Sequence, residues 1–104
     1  MNFYVAMNNL GIMTWANANS SCQNYSFCGN LKGTLPTLYQ LQDIYNNKSH
    51  INSLLSIYKG TQITDNYYWS STSYTNNLYY IVYMSNGVAG GGSNSDARPI
   101  LTSW

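Results

Sequence analysis

Charge is what this sequence has least of: Asp, Glu, Lys and Arg make up 7% of its 104 residues, against roughly 25% of an ordinary soluble domain. Glutamate is absent. The acids are Asp43, Asp65 and Asp96, and the bases are Lys32, Lys48, Lys59 and Arg98. A net charge of +1 leaves no basic footprint for nucleic acid or for an anionic lipid surface. His50 is the single histidine, and the aspartates lie 22 and 31 positions apart, so the spacing offers no opposed acid–base pair. No Gly-x-Ser-x-Gly elbow supports a nucleophilic serine. We therefore expect no enzyme, no cofactor and no resident metal. Long apolar runs are also missing, so the chain has no membrane span of ~20 residues. A basic-then-apolar leader is missing too; if exported, the chain is expected to be one domain of a longer protein.

Cysteine is scarce as well. Cys22 and Cys28, six apart, could close a short disulfide loop in an oxidising compartment, or be two small core residues. Without His or acids beside them they do not make a zinc shell.

What is present is polar, neutral and aromatic: 15 Asn, 13 Ser, 8 Thr and 11 Tyr. Surfaces of this kind are common on exported bacterial proteins and resemble those of antibody loops. With 44% hydrophobic and 15% aromatic residues, a chain of this length can bury one core and is expected to be a single domain, 1–104.

The elements read in order as strand, helices, then antiparallel strands. Asn2–Met7 reads as a first strand ended by Asn8-Asn9. Thr14 caps a short helix reaching about Cys22, and Gln23–Gly33 reads as loop. Thr37 and Gln40 form a capping box before Leu38, Leu41 and Ile44/Tyr45. Ser49 is the expected cap of a further helix whose stripe, Ile51, Leu54, Leu55 and Tyr58, reads as core, with Gly60 in the C′ position. Tyr67–Ser71 reads as a strand, with Tyr67, Trp69 and Ser71 on one face and Tyr68 and Ser70 on the other. Leu78–Met84 is apolar on both faces and so central. Asn86-Gly87 is a hairpin turn. Gly90–Asp96 reads as an exposed loop; no Lys-Ser/Thr follows it, so it is no phosphate cradle. A last strand is expected at Ile100–Thr102, with Pro99 near its start. The class is α+β.

Candidate chemistry rests on uncharged recognition. Tyr and Trp bury large areas for few rotatable bonds, while Asn and Ser adapt their hydrogen bonds. The expected contact set is Tyr67, Tyr68, Tyr74, Asn76, Asn77, Ser93, Asn94 and Asp96, with Trp69 largely buried beneath it. Tyr39, Tyr45, Tyr58 and Tyr80 are read as filling or covering the core. Asp65, Asn66, Asn94 and Asp96 carry oxygens suited to calcium only if their two loops meet.

Five motifs then line up in order: Thr14-Trp15-Ala16-Asn17-Ala18 with Cys22, Gly33–Leu41 around Leu35-Pro36-Thr37, Tyr68–Thr72, Tyr83–Gly87, and Ala97–Ile100. Together they resemble bacterial C-type-lectin-like domains, such as intimin/invasin adhesin tips and Lcl-type C-terminal domains. The resemblance implies a C-type-lectin-like fold: two to three short helices, a small twisted antiparallel sheet, paired first and last strands, and a long loop region. It implies adhesion at the bacterial cell surface, through a protein receptor on a host or neighbouring cell. A calcium-independent glycan-binding module and a subunit-docking domain of a surface fibre are the alternatives. Gln40 replaces the family's acidic residue. The closing strand has no cysteine, which leaves Cys28 as Cys22's one candidate mate in this chain. The Glu-Pro-Asn and Trp-Asn-Asp motifs of calcium-dependent lectins are absent.

Overall fold

The computed structural model describes residues 3–7, 10–27, 31–75, 78–93 and 98–99. Its elements are β1 (Ile12–Met13), α1 (Trp15–Gln23), β2 (Ser26–Phe27), β3 (Leu31–Lys32), α2 (Leu38–Asn46), α3 (Lys48–Ile57), β4 (Tyr67–Thr75), β5 (Leu78–Tyr83), β6 (Ala89–Ser93) and β7 (Arg98–Pro99). Of the expected strand Asn2–Met7, the described residues 3–7 form no ladder, and Val5 alone makes a β-bridge. Phe3 and Val5 instead pack their side chains against the core, and the Met7 carbonyl accepts from the Thr61 amide at 2.7 Å. The expected loop at Gln23–Gly33 holds the small antiparallel β2–β3 pair. The expected strand Ile100–Thr102 lies outside the described residues, but β1 and β7 pair antiparallel, Ile12 opposite Pro99 and Met13 opposite Arg98.

Helix α1 starts after Thr14, whose extended backbone marks the N-cap although its side chain makes no capping bond. Ala18 and Cys22, four apart and so on one helical face, are both fully buried. Trp15 pins the first turn to the sheet, its Nε1 donating to the Ser70 carbonyl at 2.9 Å. In α2 the capping box forms as expected. The Gln40 amide donates to Thr37 Oγ1 at 3.2 Å, and the Thr37 amide donates to Gln40 Oε1 at 2.9 Å. The Leu38 amide, a helix-start donor with no intrahelical partner, donates to Thr72 Oγ1 at 2.9 Å and ties α2 to β4.

Asn47 ends α2 and also caps α3, so the expected cap Ser49 falls inside the first turn. The cause is local: Asn47 Nδ2 donates back to the Asp43 carbonyl at 2.8 Å, while the Asn47 carbonyl accepts from Ile51 at 2.9 Å. At the other end Lys59, not Gly60, takes the left-handed conformation, with φ 60°. Gly60 donates to the Leu55 carbonyl at 2.8 Å, the longer bond of a Schellman ending. It is needed there because a Cβ would stand 2.4 Å from the Met7 carbonyl oxygen. Of the expected core stripe, Leu55 is buried and Ile51 half-buried, but Leu54 and Tyr58 are 42% and 66% exposed. Helix α3 flanks the core instead of entering it.

β5 lies between β4 and β6 in one antiparallel sheet. Tyr68 and Val82 face a cluster with Leu41, Ile44, Leu55, Ile63 and Met84. Trp69 and Ile81 face the other way, into a cluster with Ala18, Cys22 and Leu35. Helices on both sides explain why β5 is apolar on both faces. The β5–β6 turn closes as the Asn-Gly pair predicts: Gly87 has φ 77° and donates to the Tyr83 carbonyl at 2.7 Å.

The glycine run is the main departure from expectation. Gly90, Gly91 and Gly92 are strand, paired with Ile81, Tyr80 and Tyr79. They look too small for a sheet only until their neighbours arrive. A Cβ on Gly92 would meet Trp69 Cζ3 at 2.7 Å and Ile81 Cγ2 at 2.8 Å, and one on Gly91 would meet the Tyr74 ring at 2.6 Å.

Candidate functional site

Side-chain alternation along the three strands decides which aromatic groups reach solvent. Tyr67 opposes Tyr83, and Trp69 opposes Ile81, so these four share one face. Tyr80 is offset by one from Tyr79 and Ile81 and lies on the other face, with its partner Gly91. Helices pack on both faces, and each face also carries, at one corner of the sheet, a tyrosine pair with an exposed member.

At the first corner, Tyr74 is 49% exposed and meets Tyr80 edge-to-face, centroids 4.9 Å apart at 82°. That geometry is the favoured one for ring quadrupoles. The Tyr74 ring lies over Gly91, so the bare backbone is its seat. Ser93, exposed, sits opposite Leu78 at the same end. No charged side chain is among these residues. At the second corner Tyr67, 42% exposed, stacks on Tyr83 with centroids 4.5 Å apart at 18°. Tyr67 and Tyr74 are seven residues apart on β4, roughly 23 Å along a strand, and they point to opposite faces. They do not form one surface.

Tyr68 does not belong to the contact set. It is 1% exposed; its ring fills the core between the sheet and α2, and its hydroxyl accepts from the Thr64 amide at 3.1 Å. Trp69 is fully buried, as expected, with Nε1 donating to the Met13 carbonyl at 2.9 Å. Asn76, Asn77, Asn94 and Asp96 lie outside the described residues. So does Cys28, while Cys22 is buried in the core on the inner face of α1. Asp65 is engaged by Lys48, and Asn66 Oδ1 accepts from the Tyr67 amide at 2.8 Å; half of the oxygen set weighed for calcium is thus committed within the protein. Among the described residues no three His, Cys, Asp or Glu side chains cluster, and no helix is long and apolar enough to cross a membrane.

Sequence reading missed Tyr80 and Tyr83 as the supports of Tyr74 and Tyr67. The signal was available in the Asn86-Gly87 turn and the β5 pattern, but the β4–β5 register carries two irregularities that no short-range pattern announces. Tyr39 and Tyr58, read as core tyrosines, are 78% and 66% exposed. Tyr58 joins Tyr4, Met7 and Leu54 around a shallow apolar groove of about 270 Å³.

No family model matches the sequence, and no curated protein matches it. Among solved structures the chain is similar to the crystal structure of botrocetin, a snake C-type-lectin-like protein. The TM-score is 0.50 at 18% identity, over 97% of this chain and 86% of that one. The three helices, the paired terminal strands and the three-stranded antiparallel sheet together form an α+β domain with a C-type-lectin-like fold.

Proposed function

We propose that the domain is a non-catalytic recognition module of an extracellular bacterial surface protein, binding a protein receptor on a host or neighbouring cell as intimin/invasin-type tips do. The observation that carries this reading is Tyr74: a large ring, half exposed, held by Tyr80 and by its glycine seat. Such a ring loses little conformational freedom on binding, which is what makes tyrosine an efficient contact anchor. Among the described residues, Leu78, Tyr80, Gly91 and Ser93 at this corner are neutral, so recognition by them needs no ionised group.

A second reading has its own observation. On the opposite face the exposed Tyr67, stacked on Tyr83, offers an aromatic ring on which a sugar would stack, making the domain a calcium-independent lectin.

Both readings are tested by binding the purified domain to intact cells and to a glycan array, with calcium and with EDTA. Tyr74→Ala should lower cell binding at least tenfold while Tyr39→Ala, elsewhere on the surface, leaves it unchanged. Undiminished binding by Tyr74→Ala would remove this corner as the receptor site. Array hits abolished by Tyr67→Ala would favour the lectin reading.

A further inference from the structure

Asn86 is the one asparagine in the chain followed by glycine, and it is exposed in the turn between β5 and β6. In an open chain that pair is chemically labile, because glycine has no Cβ to screen its nitrogen. The Gly87 nitrogen gives up its proton and attacks Cγ of Asn86. The new N–Cγ bond closes a cyclic imide, and the side-chain nitrogen leaves as ammonia. Solvent water then opens the ring at either carbonyl, leaving an aspartyl or an isoaspartyl residue at position 86.

The folded turn restrains every group this reaction uses. The Gly87 amide, whose nitrogen is the nucleophile, donates to the Tyr83 carbonyl at 2.7 Å. Its proton is thus engaged, and the imide has no N–H with which to keep that bond. Asn86 Oδ1, carried by the carbon under attack, accepts from the Val88 amide at 3.0 Å, which fixes the carboxamide. Gly87 lies so close to the Tyr45 ring that a Cβ on it would meet Cδ2 at 2.6 Å. At the start of the turn the Met84 carbonyl accepts from Lys48 Nζ at 2.8 Å, and the Met84 amide donates to the Asn66 carbonyl at 2.9 Å. Tyr45 belongs to α2 and Lys48 to α3, so these restraints exist only once the helices have docked on the sheet.

We propose that Asn86 is a self-modification site gated by the fold: its amide persists while the β5–β6 turn is closed and is lost when the turn opens. Local opening then sets the rate. The product carries a negative charge that cancels the net charge of +1, and the isoaspartyl form adds a backbone carbon to the turn.

The test follows the purified chain at neutral pH and body temperature, folded and in guanidinium chloride. Intact mass reads the exchange of the amide nitrogen for oxygen, and peptide mapping places it at position 86. Loss of the Asn86 amide should be at least tenfold slower in the folded chain. Tyr45→Ala removes the ring over Gly87, and Lys48→Met removes the bond to Met84 while keeping most of the side-chain stem. Each should speed the folded reaction at least threefold and leave the rate in guanidinium chloride unchanged, since both positions are remote in sequence. Circular dichroism checks that each variant folds; should Tyr45→Ala fail to, Lys48→Met decides alone. Equal rates in the folded and unfolded wild-type chain would overturn the proposal, and so would a folded Lys48→Met variant that reacts no faster than wild type.

Discussion

Substituting alanine at each of the three consecutive glycines of β6 separates backbone preference from tertiary space. Gly90→Ala adds a methyl to open space and should stabilise by roughly 0.5–1 kcal/mol through the backbone alone. In a chain of this size that raises Tm by about 2–8 °C. Gly92→Ala drives its methyl to 2.7 Å from Trp69 and 2.8 Å from Ile81. Trp69 cannot yield: it is fully buried and tied by Nε1 to the Met13 carbonyl. Overpacking of this kind costs about 1–3 kcal/mol, and after the backbone gain the net loss is on the order of 1–2 kcal/mol, or about 5–15 °C. Gly91→Ala meets only the half-exposed Tyr74 ring, which can swing out. The lost ring contact, about 0.5–1.5 kcal/mol, offsets the gain, so Tm should stay near wild type while receptor binding falls. Thermal unfolding followed by circular dichroism, at a concentration where the chain is monomeric, reads the order. Equal Tm values for Gly90→Ala and Gly92→Ala would refute the reasoning, and so would a Gly90→Ala variant less stable than Gly92→Ala.

Two further perturbations have definite outcomes. Thr37→Ala removes half of the capping box and should lower stability by about 1 kcal/mol, seen as a lower urea midpoint with unchanged slope. Trp69→Phe keeps most of the ring volume but strands the Met13 carbonyl, costing about 1–3 kcal/mol. Because Met13 pairs with Arg98, hydrogen exchange should rise first in β1 and β7; protection unchanged there would show that the bond does not hold the terminal strands.

The features legible in the sequence are those whose causes lie a few residues apart. The Thr37–Gln40 box, the Asn86-Gly87 turn and the doubly apolar β5 each follow from short-range chemistry, and they came out where the pattern put them. The helical period of α3 was also right, but a period tells which residues share a face and not what covers that face. Leu54 and Tyr58 are exposed because α3 packs with only Leu55 fully inside.

The candidate site illustrates the same division. Composition alone directs the proposed recognition to neutral and aromatic groups, since the chain has few charges to use. Tyr67, Tyr68 and Tyr74 are equivalent as letters. Their places were set by what the fold laid over each one: helix α2 packs over Tyr68, while Tyr74 stays half exposed. Likewise three glycines in a row forbid nothing and specify nothing by themselves. They became a strand because Trp69 and Tyr74, about 20 residues earlier, occupy the space that side chains at 91 and 92 would need, and only the folded sheet brings those rings there.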